Sequence, residues 1–215
     1  MSHIAVYDSP IVRFYYFEML GTAVFAITGV LVVSRRGLDV FGAVVLGIVT
    51  ALGGGTVRDL IIGVRPFWIN DFNYVWVASI GALAAFWIGS VFRNAYRGLL
   101  YLDALGAALF AITAANKVLS LQLSEPVAVA MGVLTGIGGG LMRDVLAGRP
   151  TLLMSREIYA TPILVGSIAF VLLQSSPFPY PGAIAFTIIF GLRALAIHRH
   201  LEMPGWLTYR EPSPD

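Results

Sequence analysis

The chain has 215 residues, 58% of them hydrophobic and 12% charged, with a formal net charge of +2 and no cysteine. Soluble domains carry about 25% charged residues, so this composition excludes an ordinary soluble fold and marks an integral membrane protein whose first partner is the lipid bilayer. Disulfide and thiolate chemistry are excluded. The cations are scattered between apolar runs without a basic stripe, which argues against a nucleic-acid partner.

Residues 1–10 are polar and lack a basic region ahead of an apolar run, so the first helix is expected to be its own membrane signal. Runs approaching the ~20 residues needed to cross a bilayer lie at about 14–33, 40–64, 74–92, 99–119, 127–147, 158–173 and 182–197. The separators carry turn and charge signals, among them Arg65-Pro66, Ser124-Glu125-Pro126, Arg149-Pro150 and Ser175-Ser176-Pro177. Pro162, inside the sixth run, predicts a kink. Trp68, Trp76 and Trp206 fall near run boundaries, as interfacial tryptophans do. The expectation is a single all-α transmembrane domain over 1–203 and a short exposed tail over 204–215.

The chain repeats itself at an offset of 85 residues. Leu20-Gly21-Thr22-Ala23-Val24-Phe25-Ala26-Ile27-Thr28 aligns with Leu105-Gly106-Ala107-Ala108-Leu109-Phe110-Ala111-Ile112-Thr113. The same offset superposes Gly53-Gly54-Gly55-Thr56-Val57-Arg58-Asp59 on Gly138-Gly139-Gly140-Leu141-Met142-Arg143-Asp144. After a one-residue slip, Gly63-Val64-Arg65-Pro66 answers Gly148-Arg149-Pro150. Three helices per repeat is an odd number, so the second copy enters the membrane from the opposite side. The prediction is two inverted three-helix repeats, about 14–92 and 99–174, and a seventh helix at about 182–198 without a counterpart. Counting Arg35, Arg36, Arg93, Arg97, Arg149, Arg156, Arg193, Arg199 and Arg210 on one side against Arg13, Arg65 and Lys117 on the other puts the N-terminus outside and the C-terminus in the cytoplasm.

Three consecutive glycines each cost a helix interior about 1 kcal/mol relative to alanine, so helices two and five are expected to break or bend at their triplets. In the second run, thirteen large apolar residues favour insertion by ~4–8 kcal/mol, while Arg58 and Asp59 oppose it by about 5–7 if deep. Such a helix is stable only where neighbouring helices or water receive the charges. Adjacent residues do not face one another on a helix. Partners for Arg58 and Asp59 are therefore sought in Asp144 and Arg143, or in Glu18 and Asp103, which align in the repeat. The charges are expected to bracket a glycine-lined centre. Plainer readings stand beside these. Gly47, Ala51 and Gly55, like Gly132, Gly136 and Gly140, form small-residue rows suited to close packing alone, and the Arg-Asp pairs serve equally as a structural clamp. Thr28, Thr50, Thr113 and Thr135 can bond back to helix carbonyls. Glu18 and Asp103 can simply reach to the interface.

Enzyme signatures are weak. Gly136-Ile137-Gly138-Gly139-Gly140-Leu141 lacks the last small residue and the βαβ setting of a dinucleotide fingerprint, and no Walker lysine follows either triplet. Histidines are confined to the chain ends, with His198 and His200 flanking Arg199, so neither a metal cluster nor a nucleophile-base pair is expected. No cofactor and no catalysis follow from these residues.

Two inverted repeats that each carry Gly-Gly-Gly-x-x-Arg-Asp in the second helix, plus a seventh helix, resemble the prokaryotic members of the trimeric intracellular cation (TRIC) channel family, whose halves are also labelled glycine-transporter-like. The resemblance spans residues 14–198. It implies a homotrimer with one pore per protomer that conducts monovalent cations, chiefly potassium. It also implies that helices two and five bend at the glycines and line the pore with Gly53, Gly54, Gly55, Arg58, Asp59, Gly138, Gly139, Gly140, Arg143 and Asp144. Thr50, Thr135, Glu18 and Asp103 are further pore-lining candidates. Animal members act in the reticulum and carry a lysine-rich C-terminal tail; its lack here implies a prokaryotic plasma membrane. No Thr-Val-Gly-Tyr-Gly filter is present, so strong discrimination of potassium from sodium is not expected. The rival reading is a secondary transporter of a small solute such as an amino acid, with the broken helices as its binding site.

Overall fold

Segments that are apolar on nearly every face bury one side against neighbouring helices and leave the other for lipid. The computed structural model describes residues 10–34, 39–89 and 95–204 and turns them into seven principal helices. These are α1 (Pro10–Leu31), α2 (Val40–Ile61), α3 (Asn73–Gly89), α4 (Ala95–Ser120), α5 (Glu125–Leu146), α6 (Ala160–Gln174) and α7 (Pro181–Arg199). A single helical turn, Phe67–Asn70, precedes α3, and a 3₁₀ turn, Leu152–Met154, precedes α6. Five helices (α1, α2, α4, α5 and α7) are long and apolar enough to cross a membrane, whereas α3 and α6 are shorter. At 1.5 Å per residue α3 and α6 rise only ~25 and ~22 Å, less than the ~30 Å hydrocarbon core. The chain ahead of each is taken up by its folded return segment.

Local chemistry explains the boundaries. The Asp39 carboxylate accepts the Gly42 N–H at 2.7 Å and caps α2. Gly63 (φ 73) and Gly148 (φ 56) occupy left-handed positions just beyond α2 and α5. There the Val64 N–H reaches the Asp59 carbonyl and the Arg149 N–H reaches the Asp144 carbonyl, each at 2.9 Å, closing both helices in the same way. These equivalences keep the 85-residue offset, so the expected one-residue slip is not present. Pro66 answers Thr151, and each stands at the N-terminal cap of the following turn. Pro162 is the third residue of α6, where a missing N–H removes no intrahelical bond. The kink expected there has no physical basis.

The packing follows the repeat. α1 packs on α2 and α3 as α4 packs on α5 and α6, while α1 meets α4 and α2 meets α5 between the halves. Phe25 and Phe110, equivalent at the 85-residue offset, stack on each other at 5.4 Å and 14°. α7 lies against α4 and α6.

The expectation that helices two and five break at their glycines is corrected: both α2 and α5 run as continuous α-helix through Gly53–Gly55 and Gly138–Gly140. Tertiary contact overrides the propensity. A Cβ on Gly54 would stand 2.8 Å from the Thr135 carbonyl oxygen, and one on Gly139 would stand 2.5 Å from that of Thr50. The glycines let the two backbones touch, and the contacts formed offset the ~1 kcal/mol penalty per residue. Gly139→Ala, whose new methyl meets backbone, should therefore lower the thermal midpoint in detergent. Gly191→Ala, with nothing within 4 Å of the added carbon, should leave it unchanged.

Candidate functional site

The sequence-predicted charges gather into two clusters, one at the C-terminal end of α2 and one at that of α5. In the first, Arg58 and Asp59 are fully buried. Arg58 donates from Nε to Asp59 Oδ1 at 2.8 Å, faces Glu18 Oε1 at 3.5 Å and lies over the Phe67 ring at 5.7 Å. Asp59 Oδ1 also accepts Lys117 Nζ at 2.8 Å, and Asp59 Oδ2 accepts the Phe67 N–H at 2.8 Å. Tyr74 donates its hydroxyl to Glu18 Oε2 at 2.8 Å. The formal charges of Glu18, Arg58, Asp59 and Lys117 cancel.

The second cluster repeats this plan with changes. Arg143 donates from Nε to Asp144 Oδ1 at 2.9 Å and from Nη1 to Asp103 Oδ1 at 2.6 Å. Asp144 Oδ2 accepts the Leu152 N–H at 3.2 Å. Tyr159 replaces Tyr74, and Arg193 of α7, fully buried, lies over its ring at 4.8 Å. The second cation near this cluster comes from α7 and faces the Tyr159 ring, where the first cluster draws Lys117 from α4 directly onto Asp59.

Each aspartate has a structural duty. The Phe67 and Leu152 amides open their short helical turns and have no intrahelical acceptor, so Asp59 and Asp144 act as remote caps that pin the returning chain. Each arginine sits in the last turn of its helix, where the macrodipole favours a cation. Several donors stay unpaired within the protein even so: Arg58 Nη2, Arg143 Nη2, and Arg193 Nε and Nη2 are buried without a hydrogen-bond partner.

A model of the glycine-transporter family matches residues 15–90 and again 100–175, two blocks that start 85 residues apart (100 − 15). The chain is 41% identical over 196 residues to a UPF0126 membrane protein of Vibrio cholerae, covering 88% of this chain and 81% of that one. It is 37% identical over 195 residues to the UPF0126 inner membrane protein YadS of Escherichia coli, covering 88% and 94%. Among solved structures, the TRIC trimeric intracellular cation channel orthologue from Rhodobacter sphaeroides superposes with a TM-score of 0.85 at 38% identity, over 88% of this chain and 99% of that one. This chain belongs to the prokaryotic TRIC family. It is a multi-pass membrane protein.

Within this TRIC chain, several expectations are corrected. Adjacent arginine and aspartate do bond, because the long arginine stem folds its Nε back onto the neighbouring carboxylate. No bond joins Arg58 to Asp144 or Arg143 to Asp59 among the described contacts; the link between the halves is instead Lys117 of α4 on Asp59 of α2. Asp103 does not reach to an interface: it is fully buried, and Glu18 faces inward as well. The charges stand in the final turns of α2 and α5, three residues beyond Gly55 and Gly140. Arg193 is no loop cation but lies inside α7, and it leaves the count that set the orientation. Arg35, Arg36, Arg93 and Arg210, with Trp206, lie outside the described residues.

Thr28, Thr50 and Thr113 bond back to helix carbonyls as the plainer reading expects. Thr135 Oγ1 is buried without a partner. Sequence reasoning missed Lys117, Tyr74, Tyr159 and Arg193. The tyrosine pair was available in the 85-residue offset, and Arg193 in the rule that a charge inside an apolar run has a purpose.

Removing Asp103 would leave Arg143 charged and fully buried beside a single carboxylate. Asp103→Leu should destabilise the TRIC fold by about 3–5 kcal/mol, read by denaturant unfolding in mixed micelles. Glu18→Leu should cost less, because its contact with Arg58 is longer and Glu18 is partly exposed.

Proposed function

We propose that this chain is a monovalent cation channel, chiefly for potassium, with one pore in each protomer of a homotrimer. Its place is the plasma membrane of a prokaryote, with the N-terminus outside and the C-terminus in the cytoplasm. The observation that carries the reading is the pair of buried clusters at opposite ends of the α2–α5 contact, each with guanidinium N–H groups unpaired within the protein. These clusters lie in a chain 38% identical to a trimeric intracellular cation channel orthologue. Buried donors are normally satisfied, so a route that brings water to both clusters accounts for them.

On this reading the pathway passes between α2 and α5 and is narrowest where their glycines touch. Gly53, Gly54, Gly55, Gly138, Gly139 and Gly140 form the constriction. Thr50 and Thr135 lend it their carbonyls. Arg58 and Arg143, neutralised by Glu18, Asp59, Asp103 and Asp144 in this state, act at its two ends, and the carboxylates favour cations once an arginine moves away. No catalytic step is assigned.

Single-channel recording of purified protein in a planar bilayer tests the function. Native protein should pass unitary potassium currents, and Arg143→Ala should change open probability several-fold. Saturable, coupled uptake of a small solute with no unitary current would leave the transporter standing instead. For topology, a single cysteine at Ser124 should be labelled from outside intact cells, and labelling confined to the cytoplasmic side would overturn the orientation. Mass measurement in nanodiscs should return three protomers, and a predominant monomer or dimer would refute the trimer.

A further inference from the structure

α7 has no partner at the 85-residue offset, so whatever it holds belongs to one half of the molecule only. The contacts of its buried Arg193 converge on residues 157–159, in the segment that delivers Tyr159 to the second cluster. Arg193 donates from Nη1 to the Ile158 carbonyl at 2.8 Å and stands 4.0 Å from the Glu157 carboxylate, besides covering the Tyr159 ring. Past the end of α7, His200 takes a left-handed φ of 51 and turns the chain back. The Met203 N–H then donates to the Arg156 carbonyl at 2.9 Å, and Glu202 forms an antiparallel bridge with Glu157. From α4, Arg97 Nη2 meets His200 Nε2 at 3.1 Å.

The first half fixes the equivalent segment, 71–74, without outside help. Tyr15 donates to Asp71 Oδ2 at 2.9 Å, and Tyr74 donates to Glu18. Both devices are missing from the second half. Leu100 stands where Tyr15 would be, and Asp103 is one methylene shorter than Glu18. The Tyr159 hydroxyl is left buried without a hydrogen-bond partner. A tyrosine that its own repeat does not tie down is held by the helix outside the repeat.

We propose that α7 and its trailing residues 201–203 form a strap that positions the second cluster. Arg193 and the Glu157–Glu202 bridge set where Tyr159 stands beside Asp103 and Arg143, so release of the strap loosens the second half while the first stays fixed. Arg193 is thus a positioning residue. Its effect on conduction rests on the channel reading, whereas its effect on residues 157–160 does not.

The native chain has no cysteine, and antiparallel bridged residues have Cα atoms ~4.5–5.5 Å apart, within disulfide reach. Hydrogen exchange followed by mass spectrometry reads the strap directly. Arg193→Met should raise exchange over residues 157–160 by about tenfold or more, with 72–75 unchanged, and Arg193→Lys, which keeps a donor for the Ile158 carbonyl, should restore part of the protection. Adding Glu157→Cys and Glu202→Cys to Arg193→Met should restore protection when oxidised and lose it again when reduced. Unchanged exchange over 157–160, or an equal rise over 72–75, would overturn the proposal. If Arg193→Met does not assemble, the oxidised and reduced states of the cysteine pair in the native background supply the same comparison. In bilayers that pair should show several-fold lower open probability when oxidised, reversed on reduction, and equal currents in both states would refute control of conduction by the strap. A native protein without unitary current would sink the channel reading alone, leaving the exchange measurement to decide the strap.

Discussion

Backbone contact between α2 and α5 is the constraint on which the rest of the structure depends. Thr50 stands against Gly139 and Gly54 against Thr135, so the residue order runs in opposite directions along the two helices and they cross antiparallel. Only glycine permits that approach. Once it is fixed, the C-terminal turns of α2 and α5 must lie at opposite ends of the contact, and each carries an Arg-Asp pair. Separation of the two clusters follows from helix packing before any electrostatic argument is made.

The clusters then solve a problem that burial creates. A guanidinium taken out of water is tolerated only with close carboxylates, and both arginines have two: Asp59 with Glu18, and Asp144 with Asp103. The aspartates in turn hold the amides of Phe67 and Leu152, so the charge network also anchors the chain that leads into the short helices α3 and α6. Structural clamp and ion-pathway element are compatible roles for one pair of residues. A group that is paired in one arrangement and retains unpaired N–H donors has alternatives to move toward.

Duplication supplied two copies of this plan, and divergence made them unequal. Lys117 pairs with Asp59 in the first cluster, whereas Arg193 flanks the second through the Tyr159 ring and the Ile158 carbonyl. Tyr74 is hydrogen-bonded to Glu18, whereas the Tyr159 hydroxyl finds no such partner in the shorter Asp103 and its ring is covered by Arg193 of α7. The clusters lie at opposite ends of the antiparallel α2–α5 contact, so inequality between them gives each end its own energetics.

Composition and local order are enough to show the membrane class, the seven apolar runs, the 85-residue repeat, the Arg-Asp pairs, and Glu18 and Asp103 as candidate partners. These are legible because hydrophobicity and identity at a fixed offset need no three-dimensional information. Only the tertiary structure decided whether the glycine triplets break their helices, because intrinsic propensity disfavours glycine by an amount that one close interhelical contact reverses. It alone revealed that adjacent Arg and Asp side chains join, that Lys117 reaches Asp59 across 58 residues, and that Arg193 faces inward. Side-chain reach and the direction a helix face points are set by packing partners distant in the chain, and no local pattern encodes them.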